Sequence, residues 1–325
     1  MMRKIIGQHH ASGITKDAAA NLVFYTEILG MRLVKKTVNQ DDPSMYHLFY
    51  ADGTGSPGTD MTFFEIPNVG QTYRGTNSIT QIALRVKSDE AIRYFEQRFE
   101  QFNVQHSDAV EINGRLTIEF EDFEGQRLAL VSDANNHGVA SGTPWDKSIV
   151  PVEFGITGLG PFKMDVEDVE GFSVVLTEIF GYTQTGSFTH PITAQTIMTF
   201  RSDLGGTGDE LQVVHNTNAP ERPGKGSMHH IALRVKDEAE LQEWVEFIKE
   251  KRIPSSGFVD RHFFKSLYIR TRQGILIELA TDGPGFAINE PMDALGETLS
   301  LPPFLEEKRE WIERQIKPLP KVKRL

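Results

Sequence analysis

The chain has 325 residues, 39% of them hydrophobic, enough to bury two domain cores or one large one. Its 45 acidic and 34 basic residues leave a formal net charge of -11, which repels a phosphate backbone and argues against nucleic acid, so the short basic run from Lys317 to Arg324 reads as a solvated tail. The absence of cysteine excludes disulfides, thiolate ligands and a cysteine nucleophile, and any metal site must use imidazole and carboxylate.

No apolar run approaches the roughly 20 residues of a spanning helix, and the amino terminus lacks an apolar signal core, so the expected setting is cytoplasmic, without a membrane partner. Residues 4–12 alternate as a strand; residues 17–29 carry Ala18, Leu22, Tyr25 and Leu29 at helical spacing before Gly30. Strand-like runs follow at 32–38, 46–51 and 61–66, making a βαβββ unit. The order recurs from Ser78, with a strand to Val86, a helix over 89–102 and strands near 104–110, 116–120 and 127–131. A third copy is expected from about Val152 and a fourth from Met228.

Two internal echoes tie these copies together. Leu176-Thr-Glu-Ile-Phe-Gly181 repeats Tyr25-Thr-Glu-Ile-Leu-Gly30, and Ile231-Ala-Leu-Arg-Val-Lys236 repeats Ile82-Ala-Leu-Arg-Val-Lys87, at nearly the same offset. The expected fold is therefore α+β, with four βαβββ modules in two tandem halves: 4–132 (modules 1 and 2) and 151–281 (modules 3 and 4). A linker at 133–150 joins them. Residues 282–325 read as a loop followed by a helix over 303–316, docked through Leu305, Ile312 and Ile316.

The candidate chemistry lies in two His-His pairs, His9-His10 and His229-His230, at equivalent places in the first and fourth modules. A strand sends successive side chains to opposite faces. Ile231, Leu233 and Val235 should pack on the helix with His229, leaving His230 in the cleft, and His10 is its counterpart. The same rule turns Glu278 into the cleft, between Ile277 and Leu279. A lone strand histidine is usually a hydrogen-bonded core residue, but two imidazoles and a carboxylate from repeat-related strands match the ligand set of a non-haem Fe(II) oxygenase, with zinc also compatible. Glu65, read as the first-module counterpart of Glu278, is the rival carboxylate.

On these residues, together with Tyr46-His-Leu-Phe-Tyr-Ala-Asp52, Gly55-Ser-Pro-Gly-Thr59 and Leu301-Pro-Pro303, the chain resembles the vicinal oxygen chelate superfamily (glyoxalase/bleomycin-resistance-like), and within it the hydroquinone-type ring-cleaving dioxygenases. The resemblance implies modules paired into open β-barrels around Fe(II), or Mn(II) in its place, held by His10, His230 and Glu278. It also implies His9 and His229 near the substrate pocket, and Arg261 and Tyr268 as substrate-binding groups. Strand alternation turns Tyr268 inward but His9 and His229 away. Ser12 stands where relatives carry threonine, and His262 is either near the site or merely exposed. The common catechol-cleaving arrangement draws ligands from the third and fourth modules, but Val152-Glu-Phe-Gly-Ile156 has no histidine, so the site should join the first and last modules.

The implied reaction is insertion of O2 into an aromatic diol, in aromatic catabolism or quinone detoxification. The loop 282–290, with Phe286 as an apolar plug, reads as a lid or a plain surface loop. A homo-oligomer is compatible with all of this. Two alternatives stay open: a metal-dependent lyase or isomerase, and a non-catalytic binding protein on the same scaffold.

Overall fold

A computed structural model describes residues 3–323. Module 1 contains β1 (Gln8–Thr15), α1 (Ala18–Val23, running on as a π-helical turn, Phe24–Ile28), β2 (Arg32–Val38), β3 (Tyr46–Ala51) and β4 (Asp60–Glu65). Module 2 contains β5 (Ser78–Val86), α2 (Asp89–Phe102), β6 (Val110–Ile112), β7 (Arg115–Glu121) and β8 (Arg127–Ser132). Module 3 contains β9 (Ile156–Val166), α3 (Val169–Val174, with a π turn at Val175–Ile179), β10 (Thr183–Thr189), β11 (Thr196–Arg201) and β12 (Leu211–His215). Module 4 contains β13 (Ser227–Val235), α4 (Glu238–Glu250), β14 (Ser255–Asp260), β15 (Phe264–Arg270) and β16 (Leu276–Pro284).

Local chemistry accounts for the helix boundaries. The Asp17 carboxylate accepts from the Ala19 and Ala20 N–H groups, and Ser88 accepts from Ala91, so both helices start on side-chain caps. Asn103 ends α2 in the left-handed conformation. The third module's first strand begins at Ile156, later than expected. Residues 104–109 form no strand, leaving β6 with three residues. The expected terminal helix is broken into α5 (Pro303–Glu306) and α6 (Arg309–Gln315), although Leu305, Ile312 and Ile316 are buried as expected. Lys317, Lys321 and Lys323 are exposed, and Arg324 lies outside the described residues. Among the described residues no helix is long and apolar enough to cross a membrane.

The strands form two curled eight-stranded sheets, ordered β14-β15-β16-β13-β1-β4-β3-β2 and β10-β11-β12-β9-β5-β8-β7-β6. Each sheet thus joins one module from each half of the sequence: the first with the fourth, through antiparallel β1 and β13, and the second with the third, through β5 and β9. One face of each sheet packs on helices. Ile231, Leu233, Val235, Ile277 and Leu279 are buried in that core, each worth about 1.5–3 kcal/mol of transfer free energy. The other face is concave, and polar side chains are aimed into it.

Candidate metal centre

The centre of the first sheet carries two β-bulges. Along β1, Gln8 faces Leu233 and His10 faces Ala232, so His9 is an extra residue. Along β13, Ser12 faces His230 and Gly13 faces Met228, so His229 is an extra residue in turn. A bulge bends its strand and redirects a side chain. Strict alternation would turn His9 and His229 away from His10 and His230; instead each reaches its neighbour. His9 Nδ1 lies 2.9 Å from His10 Nδ1, and His229 Nδ1 lies 2.7 Å from His230 Nδ1. His9 is buried behind His10 against Phe264, whereas His229 is exposed and lines the cavity.

His10, His230 and Glu278 converge, all three buried. His10 Nε2 is 3.1 Å from His230 Nε2 and 3.1 Å from Glu278 Oε2, and His230 Nε2 is 3.0 Å from the same oxygen. With bonds of about 2.1 Å, neighbouring ligand atoms sit about 3.0 Å apart on an octahedron and about 3.4 Å apart on a tetrahedron. The observed triangle therefore fits one face of an octahedron.

The protonation pattern fits a cation as well. Thr281 C=O can only accept, so the 3.0 Å contact puts the His9 proton on Nε2. His9 Nδ1 then accepts from His10 Nδ1–H, which leaves a bare lone pair on His10 Nε2 pointing into the triangle. Burial, then the neighbouring His10, lowers His9 to about 3, so it stays neutral. Glu278 Oε1 accepts from Ser266 Oγ at 2.5 Å, while Oε2 is buried with no hydrogen bond. Burial alone would raise the Glu278 carboxyl, but positive charge at the His10 and His230 positions, the place a cation would take, draws it well below the usual range. Converging acceptors of this kind are satisfied by a divalent ion.

Glu65 is not part of this group. Its Oε1 accepts from Ala18 N–H at the start of α1. The parallel pairings explain why: β13 Ala232 faces β16 Glu278, and β1 Ser12 faces β4 Thr62. Because Ser12 stands two residues after His10 and Ala232 two after His230, the counterpart of Glu278 is Thr62, three residues before Glu65. Thr62 Oγ1 is 2.7 Å from Ser12 Oγ and 3.1 Å from His47 Nε2.

Above the triangle opens a cavity of about 270 Å³. Tyr268 pairs in register with Glu278, and its ring stands edge-on to His230 at 5.9 Å. Arg261 Nε donates to Tyr268 Oη at 3.2 Å, and its guanidinium makes a two-point ion pair with Asp41. Gln40 Nε2 donates to Arg261 C=O, so a module 1 loop and a module 4 turn meet at the mouth. His262 adopts a left-handed turn with φ of 68° and does not line the cavity. Phe49, Phe64, Phe263 and Phe264 supply aromatic walls. Sequence reasoning missed His47, whose only signal was its place in alternation with Phe49 on β3.

The loop after β16 is packed down. Phe286 is buried against Phe49 and Phe263, and a Cβ added at Gly55 would come within 2.7 Å of its ring. Fully buried Lys35 anchors it, donating to Phe286 C=O, Asn289 Oδ1 and Ser300 Oγ while pairing with Glu290. This segment forms the back of the aromatic wall rather than a detached cover.

The profile of the Glyoxalase/Bleomycin resistance protein/Dioxygenase superfamily matches residues 7–130 and 158–279. MhqA of Bacillus subtilis (strain 168), whose name assigns it provisionally to ring-cleaving dioxygenases, is 46% identical over 318 residues, 97% of this chain and 99% of its own. The chlorohydroquinone/hydroquinone 1,2-dioxygenase of Sphingobium indicum is 26% identical over 326 residues, 96% of each chain. A crystal structure from Bacillus subtilis subsp. subtilis str. 168, described provisionally as a dioxygenase, superimposes with a TM-score of 0.89 at 31% identity and full coverage of both chains.

Proposed function

Because the chain belongs to the Glyoxalase/Bleomycin resistance protein/Dioxygenase superfamily, we propose that its activity is Fe(II)-dependent ring cleavage of an aromatic diol, of hydroquinone rather than catechol type. The observation that carries this reading is the donor set: three buried ligand atoms on one face, with Thr62 where the duplication would put a second carboxylate. A lyase or isomerase holding a redox-silent ion through four protein ligands would need a donor there, and Thr62 is instead engaged by Ser12 and His47.

His10, His230 and Glu278 hold the ion; Fe(II) is preferred and Mn(II) is the substitute. Bound iron supplies a Lewis acid for an ionised ring hydroxyl and a route for electrons from the ring to O2. In the overall reaction one ring C–C bond breaks and both oxygen atoms enter the product. The remaining work falls to the protein. Tyr268 sits beside the ligands, where its hydroxyl can hydrogen-bond oxygen at the reacting end of the ring; burial pushes that hydroxyl's pKa above its ordinary value, keeping it protonated. Arg261 fixes Tyr268 and adds positive charge where negative charge develops. The phenylalanine walls exclude water, and the Asp41–Arg261 pair stands at the mouth. His9 and His229 orient the ligand imidazoles. A role in quinone detoxification follows from this substrate class.

The test is oxygen uptake by protein loaded anaerobically with Fe(II) and given hydroquinones, then catechols. Uptake with incorporation of both atoms of labelled O2 is expected; no uptake with any diol despite bound iron overturns the assignment. Metal retained in both His10→Ala and His230→Ala would overturn the ligand set.

A further inference from the structure

The polar groups that the proposed chemistry leaves unused sit together at the far side of the cavity. Tyr46, Leu48 and Tyr50 of β3 point to the core, so His47 and Phe49 point into the concave face. Register pairs His47 with Phe64 and Phe49 with Thr62, as Ser266 pairs with Ala280 and Tyr268 with Glu278 in the fourth module. His47 is thus the counterpart of Ser266, and Phe49 the counterpart of Tyr268. The two walls descend from the same plan but differ: one offers a phenol and a guanidinium next to the ligands, the other an imidazole two strands away.

The His47 ring lies between Phe64, at 4.0 Å and 29°, and Phe49, at 4.1 Å and 40°. Its Nε2 is held by Thr62. Among the described residues the ring's hydrogen bond is the one at Nε2, and the residue lines the cavity with Nδ1 free to take a partner there. Burial, reinforced by His10 and His230, keeps this imidazole neutral, with one donor and one acceptor. Directly across the β2–β3 pair stands Thr37, 1% exposed, which also lines the cavity; its Oγ1 is buried without a hydrogen bond. Directly opposed residues bring their side chains within about 4.5–5.5 Å at Cβ. The buried Thr37 hydroxyl is unsatisfied until something polar reaches it, and the His47 ring, locked by flanking aromatics, holds its second nitrogen ready for the same group.

We propose that His47 and Thr37 form a distal subsite that binds a ring hydroxyl remote from the one held at the metal, and that this subsite selects 1,4-diols over 1,2-diols. A 1,2-diol puts its second oxygen beside the first, near Tyr268. A 1,4-diol carries it across the aromatic channel, where Thr37 Oγ1 and His47 Nδ1 complement a hydroxyl as donor and acceptor. Phenol lacks the second hydroxyl and leaves the subsite unfilled.

The inference rests on the dioxygenase reading for its substrate class but is read by binding. The Fe(II)-loaded protein is titrated under argon with hydroquinone and with phenol. The native protein should bind hydroquinone about tenfold more tightly, the effect of one or two neutral hydrogen bonds. In His47→Phe and in the near-isosteric Thr37→Val this ratio should fall to about one to threefold with phenol affinity unchanged, and His47→Gln should recover part of it. A native ratio of one, or a ratio unchanged in both variants, overturns the subsite. If the ratio behaves as expected while no diol consumes O2, the subsite stands and the oxygenase assignment falls. If diols are cleaved but the ratio is insensitive to both substitutions, the reverse holds.

Discussion

Thr62 stands on β4 at the position Glu278 holds on β16: each faces the residue two places beyond His10 or His230 on the neighbouring parallel strand. The centre therefore has one carboxylate where the duplicated architecture could supply two.

Restoring the second carboxylate should change the chemistry. Thr62→Glu is expected to raise metal affinity by about tenfold or more, as a fourth donor and second carboxylate joins the set, and to abolish O2 uptake by taking a position needed by substrate or O2. Competition with a chromogenic chelator and an oxygen electrode measure the two effects. Unchanged metal affinity would mean that the two positions are not equivalent in space.

The two bulge histidines should differ in importance. His9→Ala removes the partner of His10 Nδ1 and leaves Thr281 C=O unsatisfied in a dry region, so metal affinity should drop about 10- to 100-fold. His229 is exposed, and water can replace it, so His229→Ala should cost less. Chelator competition on the two variants decides the order, and equal losses would contradict it.

Lys35 and Glu290 are coupled across more than 250 residues of sequence. Lys35→Met alone leaves the buried Glu290 carboxylate without its cation and should cost about 3–5 kcal/mol in urea unfolding. The double variant Lys35→Met/Glu290→Gln should recover most of that loss. A double variant no better than the single one would show that the lysine's other hydrogen bonds carry the stability.

Asp122 contributes one part of the pH dependence, beside other buried carboxyls raised by burial such as Asp209 and Asp60. Burial pushes its carboxyl up to about 6, against the backbone N–H groups of Gln126 and Glu124. Between its ordinary value near 4 and about 6 the folded state holds more protons than the unfolded one. The stabilisation is full below about pH 4, is lost as pH rises through 6, and leaves a cost of at most about 3 kcal/mol at neutral pH. Asp122→Asn can keep the loop bonds and the Tyr25 contact. It should stabilise the protein at pH 7.5 and have little effect at pH 4. Parallel unfolding profiles from pH 4 to 7.5 would refute this.

The sequence was legible where the cause was local. The bounds 32–38, 46–51, 78–86 and 89–102 are read from alternation, apolar spacing and caps that lie within each segment, and the structure has those elements. The facing of His230 and Glu278 was also readable, because the apolar residues beside them must meet a helix. The His9 and His229 bulges were not, because register is a joint property of two strands more than 200 residues apart. The supposed match of Glu65 to Glu278 failed for the same reason: a sequence alignment does not count the residues spent in a turn. Thr37 carried no signal and His47 only its alternation with Phe49, since an isolated hydroxyl and a single histidine look like ordinary strand residues until strand pairing sets them opposite one another.

The sheet order also sets a timetable for biosynthesis. β5 to β12 are contiguous in the chain, so the second sheet can close as soon as residue 215 has left the ribosome. β1 must wait for β13, whose His230 follows His10 by 220 residues, roughly 10–45 s of synthesis at about 5–20 residues per second. During that interval the edge of β1 is unpaired and His10 has no partner ligand. Assembly of the His10–His230–Glu278 triangle is thereby deferred until β16 has been made, so that a chain stopped before it lacks the third candidate ligand.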